Sequence, residues 1–108
     1  MTAWLFLAAA IALEVAATYC LKVSNGFEKA GWGIASIALY SACFWVLAPA
    51  LKTIPVGVAY AIWAGIGIAA AAAIGAFAFG EKLGPLQLAF VAMIMAGAVG
   101  LRLTTSAE

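Results

Sequence analysis

Glu14 is the residue whose chemistry is most out of place in this sequence. It interrupts an otherwise apolar stretch, residues 3–21, and no Lys, Arg or His stands at a matching position to neutralise it. A carboxyl in hydrocarbon is costly and marks a functional site by default. Away from water the neutral form is favoured, so such a group holds a proton that an arriving cation displaces. That is the chemistry of proton-coupled cation exchange. The bland alternative is a neutral Glu hydrogen-bonded within the protein. On a helix, the positions three, four and seven away are Leu7, Ala10, Ile11, Ala17, Thr18 and Leu21. The Thr18 hydroxyl has two partners open to it, the Glu14 carboxylate or a carbonyl of its own helix. Small Ala10 and Ala17 leave space beside the acid, with Leu7 alongside. Tyr40, Phe44, Tyr60 and Trp63 lie deep in other apolar runs and can wall that space. An aromatic stripe alone means packing. Around a negative charge, it makes a site for a lipophilic cation, held by charge and cation–π attraction.

Other chemistries lack material. The chain has no His, and its four acids are scattered, so neither a metal site nor a nucleophile–base pair is available. No cofactor is expected beyond a proton gradient, and no enzyme activity. Cys20 and Cys43 fall within apolar runs, where thiols act as small fillers. A net charge of +1 leaves no basic surface for nucleic acid.

The elements that must hold Glu14 follow from where the charges fall. Only 8% of residues are charged and 69% are hydrophobic, too few charges to cover a soluble domain. Uncharged runs occupy residues 30–51, 53–80 and 83–101, each near the length of about 20 residues that spans a hydrocarbon core. Backbone groups in lipid must be satisfied internally, which makes these runs helices. The sequence predicts one domain, 1–108, of four transmembrane helices at about 3–21, 31–51, 56–79 and 86–103. The first run has no basic segment before it and carries an acid, which argues for a retained span and against a cleaved signal peptide. Asn25 and Gly26, Pro55, and Gly80 with Pro85 mark the turns. Trp4 and Trp32 stand near span ends, where indoles favour the interface, and Pro49 is expected to kink the second helix.

Four such helices enclose too little interior for a solute pathway, so an oligomer is expected. Ala92, Ala96 and Gly100 repeat a small residue every fourth position, the spacing of close helix contacts. Gly65 and Gly67 are candidate hinges in the third helix or, equally, close-packing positions. The N-terminal amine, Lys52 and Arg102 flank one side of the membrane; Lys22, Lys29 and Lys82 flank the other. Balanced cations give no preferred orientation. An antiparallel homodimer follows as a hypothesis.

Several stretches together resemble the small multidrug resistance transporters over essentially the whole chain. They are Leu13-Glu-Val with Thr18 and Leu-Lys22, Ser-Asn-Gly-Phe27, Tyr40 with Phe-Trp45, and the block Ile-Pro-Val-Gly-Val-Ala-Tyr-Ala-Ile-Trp-Ala-Gly-Ile-Gly67. The resemblance implies an all-α, four-helix protomer working as an antiparallel, dual-topology homodimer in the bacterial inner membrane. It implies export of organic cations in exchange for protons, with Glu14 binding each in turn and Thr18, Tyr40, Tyr60 and Trp63 lining the site beside Leu7 and Ala10. It also implies a third-helix bend at Gly65 and Gly67 and a fourth-helix dimer contact at Gly97; Phe90 stands where the family often has glycine. Within the family, Ala17, Thr18 and Tyr40 favour the subtype exporting lipophilic and quaternary ammonium cations. A guanidinium exporter, whose subtype typically has a Trp near position 17 and lacks the tyrosine, is the alternative. A non-transporting membrane assembly subunit is a more distant one.

Overall fold

The computed structural model describes residues 2–105. Four helices follow one another: α1 Thr2–Val23, α2 Ala30–Ala50, α3 Val56–Ala78 and α4 Pro85–Thr104. Each end lies within two residues of its sequence-based position. At 1.5 Å per residue, helices of 20 to 23 residues run about 30–35 Å, the thickness of a hydrocarbon core. All four are long and apolar enough to cross a membrane. The N-terminal amine and Ser106–Glu108 lie outside the described residues, so one cation of the three-against-three balance has no position here.

Local chemistry sets the ends. After Pro49, which has no N–H to donate, the chain tightens. The Leu51 and Lys52 amides donate three residues back, to Ala48 and Pro49, and α2 stops. The first turn is held by Ser24, whose hydroxyl donates to the Leu21 carbonyl (2.6 Å) and accepts from the Phe27 amide (3.1 Å). Asn25, Gly26 and Phe27 all take positive φ there, and the Phe27 ring lies across Gly33, where a Cβ would meet it at 2.5 Å. At the end of α3, Gly80 adopts φ +67° and the Glu81 amide reaches back to the Gly75 carbonyl (2.9 Å), a glycine-terminated stop. Pro85 opens α4, with the Gln87 side chain accepting from the Gly84 amide at 2.8 Å.

The helices form a slab of 43 × 35 × 16 Å. α1 packs chiefly on α2 and α3 on α4, and α1 joins the two pairs through α3. Small side chains dominate the contact seams: Ala3, Ala10, Cys43, Ala50, Ala59 and Ala98 are buried, with Leu7, Leu47, Ile54 and Ile62 between them. Close approach of small residues is what associates helices in lipid, where no hydrophobic drive operates between them. Most large apolar side chains instead face outward, including Trp45, Phe77 and Leu103. In a bilayer these meet acyl chains. The slab therefore has almost no interior, and its functional groups must lie on a face.

Candidate functional site

Glu14 projects from the middle of α1 toward α3. One turn later, the Thr18 hydroxyl donates to Glu14 Oε2 at 2.7 Å. Of the two partners open to Thr18 from sequence, it takes the carboxylate. Tyr40, on α2, brings its hydroxyl to within 2.8 Å of the same Thr18 oxygen. Thr18 has only one proton, committed to Glu14, so Tyr40 is the donor in that contact. The result is a directed chain, Tyr40 to Thr18 to Glu14, whose polarity supports a negative charge at its end.

The other carboxylate oxygen presses on α3 at Gly67. A Cβ there would lie 2.7 Å from Glu14 Oε1, closer than real Cβ atoms come. Glycine is thus what admits the acid between the helices. Gly65, two residues earlier, faces the other way; its Cβ would meet Ala98 Cβ at 3.1 Å and Ile94 Cγ2 at 3.3 Å, on α4. α3 runs unbroken through both.

An open cleft of about 320 Å³ begins at Glu14 and spreads over α2 and α3. Tyr40, Phe44, Tyr60 and Trp63 wall it, together with Ala64, Gly67, Ile68 and Ala71. Trp63 is the hinge of the aromatic wall. Its ring meets Phe44 edge-on at 5.8 Å and Tyr60 edge-on at 5.7 Å, the geometry aromatic quadrupoles prefer. The Trp63 Nε1 donor is buried and has no partner among the described residues. Leaving such a donor unsatisfied costs about 1–3 kcal/mol.

The cleft lining lacks four residues expected in it. Thr18 meets the site only through its hydrogen bonds to Glu14 and Tyr40, and Leu7, Ala10 and Ala17 are buried inside the protomer. The Ala10 carbonyl accepts from Cys43 Sγ at 3.1 Å, which locks α1 to α2. These residues set helix spacing behind Glu14. Conversely, Ala64, Ile68 and Ala71 were missed, although their spacing from Tyr60 follows one face of α3. Ala92, Ala96, Gly97 and Gly100 all lie exposed on α4, and nothing in the protomer approaches Gly97 or Gly100 within 4 Å of a Cβ position. At the far end of the α1–α3 seam, Lys22 Nζ pairs with Glu81 Oε2 at 3.1 Å beside the Phe79 ring.

Comparison with known proteins places this geometry in context. Residues 2–94 match the family described as Small Multidrug Resistance protein. The chain is 46% identical over 97 residues to the spermidine export protein MdtI of Salmonella paratyphi A, covering 90% of this chain and 87% of that protein. It is 42% identical over 108 residues to the quaternary ammonium compound-resistance protein QacE of Escherichia coli, covering 100% of this chain and 98% of that one.

Proposed function

The chain belongs to the small multidrug resistance family, a family of membrane transporters and not of enzymes, and from that premise we propose that it is a proton-coupled antiporter exporting lipophilic and quaternary ammonium cations. The observation that carries this reading is Glu14, the one acid of the membrane spans, standing at the head of an aromatic cleft. Cation and proton compete for its charge. The Tyr40–Thr18 chain orients the carboxylate toward the arriving cation, and the rings of Tyr60 and Trp63 offer faces to its apolar groups. Each exported cation is exchanged for protons entering down their gradient.

The working unit is an antiparallel homodimer in the bacterial inner membrane. Three features support it: a slab 16 Å thick with its cleft open on one side, the orphan Trp63 donor, and the exposed small face of Ala92, Ala96, Gly97 and Gly100 on α4. The balanced flanking cations supply the dual topology. Gly65 and Gly67 are where α3 bends as the site changes its exposure, since both are places where no side chain resists a change in helix approach.

A second reading is export of a polyamine, favoured by the identity to MdtI. A linear chain of ammonium groups needs several acceptors, and the cleft offers one carboxylate per protomer and mostly apolar walls, which favours the bulky monovalent cation. Substrate-induced proton release from the purified protein separates the readings. Release on adding tetraphenylphosphonium or a benzalkonium ion, and little with spermidine or guanidinium, is expected. Tighter response to spermidine or to guanidinium moves the chain to the corresponding alternative.

A further inference from the structure

A second concavity lies across α3 from the cleft. A groove of about 280 Å³ runs between α1, α3 and α4, floored by buried Leu7, Ile11, Ile62 and Ala98. Exposed Ala8, Val99 and Leu103 form its rim. From Trp4 to Ile11 it follows α1 for about 10 Å, starting at the membrane surface and descending toward the mid-plane. At its head the Arg102 guanidinium lies 4.3 Å from the centre of the Trp4 ring.

We propose that this groove is a binding site for an anionic phospholipid, with one acyl chain along the floor and the phosphate on Arg102. Three observations carry the assignment. The lining is almost wholly apolar except at its mouth, where the one charged group stands at headgroup depth. The Trp4 ring 4.3 Å away holds the guanidinium at the mouth of the groove, and its N–H fork suits a phosphate. Arg102 and Lys52 are the charged side chains at this end of the bundle, and no carboxylate stands there among the described residues, whereas at the other end Lys22 is already paired with Glu81. On α4 the floor residue Ala98 points away from Ala96 and Gly100, while the rim residues Val99 and Leu103 border Ala92 and Ala96, seven residues earlier in each case. The lone cation at the mouth is what selects a phosphate-bearing lipid over a second copy, whose small apolar face has no charge to offer it.

The test is native mass spectrometry of the purified full-length protein with phosphatidylglycerol, phosphatidylcholine or glycerol-3-phosphate. The wild type should retain phosphatidylglycerol over phosphatidylcholine by about fivefold, the preference that one interfacial cation supplies. Arg102→Gln should bring the two lipids to parity, Arg102→Lys should keep most of the preference, and Ala8→Phe, a rim change that fills the groove, should weaken both lipids while leaving the oligomer mass unchanged. Glycerol-3-phosphate should not compete. Equal retention of the two lipids by wild type, a preference that survives Arg102→Gln, or competition by the chainless phosphate overturns the proposal. Lipid binding to the monomer alone would overturn it too, by showing that a second copy covers the groove.

Discussion

Replacing Gly67 with Ala sets two physical effects of opposite sign against each other, and the structure predicts which observable each one moves. The Cβ would stand 2.7 Å from Glu14 Oε1. Restoring an ordinary contact of 3.4 Å requires the oxygen to retreat by about 0.7 Å. The carboxylate is rigid, so Oε2 moves with it and the 2.7 Å bond from Thr18 is stretched or lost. A hydrogen bond to a charged group contributes about 1.5–3 kcal/mol, which puts the loss of cation affinity at roughly ten- to a hundredfold. The helix itself responds the other way. Ala in place of Gly favours a helix interior by about 0.5–1 kcal/mol, and the new Cβ meets only the far end of the Glu14 side chain.

The expected result is therefore a variant that melts no lower than wild type and binds tetraphenylphosphonium at least tenfold more weakly. Thermal unfolding in detergent and equilibrium binding on the same preparation measure the two effects. Gly65→Ala is the control. Its Cβ meets α4 and not the acid, so it should lower the melting temperature and leave affinity nearly unchanged. Wild-type affinity in Gly67→Ala would refute the reasoning, because the carboxylate could then not rest against α3 in the binding state.

Glu14→Gln should abolish both cation binding and proton release, and in the wild type cation affinity should fall as pH is lowered, since proton and cation compete for one carboxylate; export against a gradient by Glu14→Gln in vesicles would rule the exchange out. Trp63→Ala should weaken aromatic cations by about 0.5–2 kcal/mol through lost cation–π contact, with a smaller effect on tetramethylammonium, as read by competition binding. Cysteine placed at Ser106 should label from both sides of the membrane in comparable fractions, and two lysines added within residues 80–85 should drive the chain to one orientation and lower transport.

Which features were readable from sequence divides along a physical line. The four helices were legible because lipid forbids unpaired backbone and charge, so the charged residues mark where each span ends. Glu14 was legible by type alone, and Thr18 by its place one turn away. Facing was not legible. In a soluble helix, the apolar stripe tells which side is buried; here lipid-facing and protein-facing sides are both apolar, and the stripe disappears. Ala10 and Ala17 flank Glu14 in sequence as a pocket lining would, yet they turn about 40–60° away from it around the helix, and both are buried inside the protomer, Ala10 against Cys43 of α2. Ala64, Ile68 and Ala71 went unmarked for the converse reason, being indistinguishable by type from the alanines that meet lipid.

The two central glycines of α3 differ only in what they face. Gly65 and Gly67 look alike in sequence and suggest one shared property. In the structure they face opposite neighbours, one against the α4 backbone and side chains and the other against the Glu14 carboxylate. α3 therefore lies in close approach to α4 on one side and to the Glu14 carboxyl on the other. The two positions thus separate the effects tested above: a side chain at 65 acts on helix packing, and one at 67 acts on the acid.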